Sequence, residues 1–152
     1  MTIQEYDAYT SDREAETIRK LSATMLEAEA RAGTARGTAH FLPEGLDTKG
    51  HYLVIAEDAD GCPVGHAWIG PNPHHSDVTD QAWLYDINVR PEVRRMGYGS
   101  SMLRRIEALV VGKGARMLGL DVDSANTAAV ALYQHNGYEA LDQQMTKSLI
   151  AP

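Results

Sequence analysis

Arg94-Arg95-Met96-Gly97-Tyr98-Gly99-Ser100 is the stretch whose residue types most directly suggest chemistry. It follows an apolar strand-like run and precedes a strongly amphipathic one. A helix that opens here offers N–H groups with no intrahelical acceptor and the positive end of its dipole. Glycines just before it let the backbone approach an anion closely, and two arginines add charge. The physical expectation is a cradle for a pyrophosphate. A dinucleotide fingerprint would need a third glycine where Met102 stands. A P-loop would need Gly-Lys-Ser/Thr at the helix start, which is absent and disfavours a nucleotide switch. The pattern that fits is R/Q-x-x-G-x-G/A.

The flanks extend the pattern. Tyr85-Asp86-Ile87-Asn88-Val89-Arg90-Pro91-Glu92 leads into the loop. Asn126-Thr127-Ala128-Ala129-Val130-Ala131-Leu132-Tyr133 follows it, and then Asn136-Gly137-Tyr138-Glu139. In this order and separation the segments resemble motifs A and B of the GNAT superfamily of acyl-CoA N-acyltransferases. The resemblance covers about residues 50 to 150. One departure is Arg95, where many members have glycine.

The resemblance implies acetyl transfer from acetyl-CoA to an amine by direct attack in a ternary complex. It implies that Arg94, Arg95, Met96, Gly97, Tyr98, Gly99 and Ser100 hold the pyrophosphate. Ile87, Asn88 and Val89 would pair with pantetheine along an exposed strand edge, and the Ile87 N–H is the candidate oxyanion donor. Tyr133 stands where the family's general acid stands, and helix packing is the alternative for it. A phenol near pKa ~10 can protonate a thiolate whose thiol is near ~8.5. Asn126 would contact the thioester side, serve as a helix N-cap, or both. Asp86 is the candidate base, but an ordinary aspartate is too weak for this and needs a raised pKa or a water relay. Ordering a neighbour or attracting a cationic substrate is the other reading of Asp86. His51, His66 and the His74-His75 pair are weaker candidates, and no metal site is expected. A non-catalytic acyl-CoA sensor and a transferase for a longer acyl group remain open alternatives.

The elements that must position these residues follow from patterning. Ser11-Asp12-Arg13-Glu14 reads as a capping box, and Ile18, Leu21, Met25, Ala28 and Ala32 predict a helix over about 12–32, with Gly33 as its stop. Ala35 to Leu42 predicts a short second helix. Strands are predicted at His51–Ala56, Pro63–Gly70 and Gln81–Val89, the first two as a hairpin around Asp58-Ala59-Asp60-Gly61. In the third, Trp83, Tyr85, Ile87 and Val89 share one parity, and Leu84, Asp86 and Asn88 the other. Met102, Leu103, Ile106, Leu109 and Val110 make the stripe of the helix after the loop. A strand over 116–122, a helix over 126–135 and one or two strands within 138–149 complete the chain. The fold class is α/β (α+β), with a mixed, mostly antiparallel sheet and helices on both faces. The resemblance adds a splay between strands 82–90 and 116–122.

Composition limits the function classes. The 152 residues are 43% hydrophobic and 23% charged, with a formal net charge of −7. One domain over 1–152 is expected, with 1–49 as a helical acceptor-side region and 50–152 as the CoA-binding core. The acidic balance argues against a nucleic-acid partner. Glu27, Glu29, Glu44, Asp47, Asp86 and Glu139 suggest an acidic groove for a cationic amine. The lone Cys62 excludes a disulfide framework and reads as small apolar filler. No signal-peptide core or membrane-length run is present, so a cytoplasmic protein with no membrane partner is expected. Many relatives are homodimers, but the sequence marks no dimer patch.

Overall fold

A computed structural model describes residues 1–143, 145, 147 and 149. The described chain forms two compact units, one from Met1 to Asp121 and one from Val122 onward. The first unit contains α1 (Ile3–Leu21), α2 (Glu27–Phe41), β1 (Tyr52–Glu57), β2 (Pro63–Pro71), β3 (Gln81–Val89), α3 (Tyr98–Gly112) and β4 (Met117–Leu120). The second contains α4 (Thr127–His135). The four strands form one sheet in the order β1-β2-β3-β4. The first two pairings are antiparallel, and β3 pairs with β4 in parallel. This is the mixed, mostly antiparallel sheet expected from the sequence.

The N-terminal helices differ from the expectation. The working capping box is Thr2-Ile3-Gln4-Glu5: the Glu5 N–H donates to Thr2 Oγ1 at 3.3 Å, and the Thr2 N–H donates to Glu5 Oε2 at 2.6 Å. Ser11 therefore lies inside α1. The earlier start places Tyr6 and Tyr9 on the face that meets Leu42, Leu53 and Trp68. The predicted helix over 12–32 is two helices, broken at residues 22–26, and α2 runs through Gly33. Met25 and Ala28 are exposed, while Ala30 and Thr34 are buried. Spacing alone joined residues on the two sides of a break. Ala30 and Thr34 are small enough for close packing, and Thr34 satisfies its hydroxyl by donating to the Ala30 carbonyl at 2.8 Å.

Helices cover both faces of the sheet. On one face, Tyr9 of α1 lies edge-on to His66, with centroids 4.8 Å apart, and Arg13 lies over the Trp68 ring at 4.9 Å. On the other, α3 buries Met102, Leu103, Ile106 and Val110. Gly65 lets α3 approach: a Cβ there would meet the Asn88 carbonyl and the Met102 sulfur. Cys62 is exposed in the β1–β2 turn, so it is not core filler. The turn is ordered by Asp58 Oδ1, which accepts from the Asp60 and Cys62 N–H groups. Residues 138–143 have no assigned strand. Positions 144, 146 and 148 of the expected final strands lie outside the described residues. Among the described residues, no helix is long and apolar enough to cross a membrane.

His51 links strand β1 to the aromatic core. The Trp68 indole N–H donates to its Nδ1 at 2.9 Å, and burial holds the imidazole below its ordinary value of 6.5. A protonated Nδ1 cannot accept that bond. The unfolded chain takes the proton first as pH falls, so this contribution is complete above the ordinary histidine range and is lost below it. Thermal melts from about pH 7 to pH 5 should show a steeper loss of stability in the unmodified protein than in His51→Gln. Parallel curves would remove His51 as the cause.

Candidate active site

Two features of β3 build the site. The first is a bulge. Ile69 pairs with Leu84 and Trp68 with Asp86, which leaves Tyr85 as an extra residue on β3. A bulge re-aims side chains that strict alternation would send to opposite faces. Tyr85 stacks on Trp68 with centroids 4.5 Å apart, while Asp86 meets Tyr9 on the same side of the sheet. The expected parity of Tyr85 and Asp86 therefore fails at this point, because it assumed an unbroken two-residue period.

The second feature is an open edge. The parallel pairing of β3 with β4 runs from Gln81↔Met117 to Leu84↔Leu120 and goes no further. The Arg90 N–H donates to the Val64 carbonyl at 2.8 Å. Antiparallel alternation then turns the Ile87 and Val89 backbone groups away from β2, toward the edge that β4 has left. The expected strand over 116–122 is only Met117–Leu120, so its pairing with β3 ends at Leu84.

This edge runs into the anion loop. A short 3₁₀ turn, Pro91–Val93, leads to Arg94, whose Nε donates to the Val89 carbonyl at 2.9 Å. Its Nη2 lies 3.5 Å from Asn88 Oδ1. Arg94 is thus partly spent on tying the loop to the strand. Arg95 has φ +62°, a left-handed conformation that explains why glycine suits this position. Gly97 has φ +83° and is the N-cap of α3, where no side chain caps the helix. Gly97 brings no side chain to the cap, and Met96 beside it is exposed.

Asp86 has a defined set of partners. The Tyr9 hydroxyl donates to Asp86 Oδ2 at 3.0 Å, and His66 Nε2 lies 3.3 Å from the same oxygen. Burial alone would raise the Asp86 carboxyl. The hydrogen bonds from His66 and Tyr9, with the charges of protonated His66 and of Arg13, outweigh burial and hold it below the ordinary aspartate range. Tyr9 is pushed up, first by burial and then by the Asp86 charge, so it stays a donor. Asp86 therefore lacks the raised basicity that direct proton abstraction would need. His66, a weak candidate from sequence, and Tyr9, not singled out at all, are the residues that stand with it. Their only sequence signal is residue type, since Tyr9 and Asp86 are 77 positions apart.

The other candidates are dispersed. His51 is committed to Trp68, and His74 Nε2 lies 3.5 Å from Asp121 Oδ2. Glu27 is paired with Arg31 at 2.7 Å, so its charge is balanced. Among the described residues, no group of three His, Cys, Asp or Glu could hold a metal ion. In the second unit, the Ala129 N–H donates to Asn126 Oδ1 at 3.2 Å, making Asn126 the N-cap of α4. Tyr133 lies on that helix, its ring 5.7 Å from the Tyr138 ring.

Comparison with known proteins gives these features a family. The model of the Acetyltransferase (GNAT) family matches residues 14–138. YycN from Bacillus subtilis (strain 168), named as an uncharacterized N-acetyltransferase, is 30% identical over 144 residues, spanning 95% of this chain and 90% of that protein. Its crystal structure superposes with a TM-score of 0.87 at 25% identity, covering 99% of this chain and 96% of that one. The [ribosomal protein bS18]-alanine N-acetyltransferase of Escherichia coli (strain K12) is 36% identical over 61 residues, 40% of this chain and 41% of that protein. An aminoglycoside N-acetyltransferase solved in complex with CoA shares the fold, with a TM-score of 0.58 at 23% identity over 77% of this chain and 91% of that one. With β3 and the glycine loop before α3 inside the matched region, the chain belongs to the acetyltransferase (GNAT) family and is an acyltransferase.

Proposed function

We propose that the protein transfers an acetyl group from acetyl-CoA to a primary amine of a small molecule or peptide, by direct attack in a ternary complex. The observation that carries this reading is the continuity of the β3 segment Ile87–Val89, beyond its pairing with β4, with the glycine-capped N-terminus of α3. A strand edge suits the amides of pantetheine, and a helix N-terminus suits a pyrophosphate. In this reading Arg94, Arg95 and the backbone from Met96 to Ser100 hold the pyrophosphate. The Ile87 N–H stabilises the developing oxyanion, Val89 lines the pantetheine edge, and Asn126 orders the start of α4 beside its role toward the thioester; Asn88, expected on that edge, turns its backbone to β2 and faces Arg94 with its side chain. Tyr133 gives a proton to the leaving thiolate. The carboxylate of Asp86 favours an acceptor that carries positive charge.

The test is thiol release from acetyl-CoA with spermidine, kanamycin, free lysine and a short peptide with a free N-terminus. Turnover is expected with at least one, faster for cationic than for neutral amines at low salt. Failure of the protein to bind acetyl-CoA would sink the reading.

Arg94→Ala should weaken acetyl-CoA binding, and the defect should shrink as salt screens the lost charge. Titration calorimetry at two ionic strengths checks this. An unchanged affinity would move the pyrophosphate away from Arg94.

A further inference from the structure

We propose that His66 is the proton acceptor for the amine, and that Asp86 and Tyr9 are positioning residues that act through it. The inference rests on the transferase reading above and names the base within it.

The geometry follows from the sheet. His66 pairs with Asn88 across β2 and β3, and Trp68 pairs with Asp86. His66 and Asp86 are thus diagonal neighbours on one face, within reach of each other. The carboxylate only accepts hydrogen bonds, so the His66 Nε2 that faces Asp86 Oδ2 carries a proton. In the neutral ring the lone pair then lies on Nδ1. Tyr9 donates to the same carboxylate oxygen, and its ring packs edge-on against His66. Asp86 is thereby fixed from two elements, α1 and β2, and in turn fixes the tautomer of His66. The side chains of His66 and Asp86 remain 29% and 28% exposed, so the pair is not sealed in the core. The charged and titratable groups around them are Asp86 on β3 and Tyr9, Arg13 and Glu16 on α1.

The step balances. The acceptor ammonium gives one proton to His66 Nδ1, and the neutral nitrogen attacks the thioester carbonyl. A C–N bond forms and the C–S bond breaks. The thiolate takes up a proton as the attacking nitrogen gives up its second one, so this exchange leaves no net charge. His66 releases its proton to water, so each turnover yields an amide, a thiol and one proton.

The experiment compares pH profiles of kcat/KM for the unmodified protein, His66→Gln and Asp86→Asn, using the fastest amine of the panel above. His66→Gln should lose about 10²-fold in kcat and lose the acidic limb of the profile, with acetyl-CoA affinity unchanged. Asp86→Asn should retain that limb and lower kcat with the acceptor KM little changed, since a neutral amide holds the Nε2–H tautomer less firmly than the carboxylate. It also supplies a second readout if His66→Gln fails to fold. Unchanged kcat in His66→Gln, or unchanged kcat in Asp86→Asn, would overturn the proposal. Either result leaves acetyl-CoA turnover by the unmodified protein intact. Loss of acetyl-CoA binding in the unmodified protein instead removes the transferase reading itself.

Discussion

Tyr133→Phe is expected to lower kcat by about 10²-fold while leaving acetyl-CoA affinity near that of the unmodified protein. The substitution removes one hydroxyl and keeps the ring. The C-terminal end of α4 is held by backbone bonds the substitution keeps: the Tyr133 carbonyl accepts from the Asn136 and Tyr138 N–H groups, each at 3.0 Å. The Asn136 side-chain amide also donates to the Leu132 carbonyl at 2.8 Å. A structural role in packing would therefore appear as a modest change in stability, and a role as proton donor would appear in the chemical step. Without the phenol, the thiolate must leave unprotonated or take its proton from water. Single-turnover measurement of thiol release separates this step from binding. A rate equal to that of the unmodified protein would remove Tyr133 as the acid.

The second large effect is on stability. Trp68→Ala should destabilise the protein by about 3–5 kcal/mol, the range for deleting a buried aromatic side chain. Natural domains have only about 5–15 kcal/mol in total, so the folded population should fall sharply. Trp68 is 1% exposed and joins several elements at once. Its ring stacks on Tyr85, meets Phe41 of α2 edge-on at 6.3 Å and lies beneath the Arg13 guanidinium. Its N–H satisfies His51. Removal leaves a cavity and an unsatisfied acceptor together, two separate costs. Trp68→Phe should fill much of the cavity but still strand His51, and so lose less. Urea unfolding followed by the fluorescence of Trp83 measures both variants. A loss below about 1 kcal/mol for Trp68→Ala would show that the aromatic cluster is not the keystone described here.

These predictions differ in how far the sequence alone could reach them. The glycine loop before α3 was legible because its parts are contiguous. Gly97, the arginines beside it and the periodic stripe of α3 lie within a few turns of chain, where local sterics and helix end effects decide conformation. Strands β1, β2 and β3 were legible for the same reason, through apolar runs bounded by turn residues. The N-terminal helices were less so. Thr2–Glu5 and Ser11–Glu14 both satisfy the capping-box pattern, and only the burial of Tyr9 against Leu42, Leu53 and Trp68 selects the first.

By itself, the sequence determined the family, the sheet-and-helix class and the place of the glycine loop before α3, all written in short-range spacing. The tertiary structure decided which titratable groups meet. Strand register, and one extra residue at Tyr85, bring Asp86 to His66 and Tyr9. A one-residue change in pairing alters which face a side chain occupies, and no local pattern records that change. The base and its positioning partners come from three separate elements. Their chemistry exists only once long-range packing has closed the distances between them.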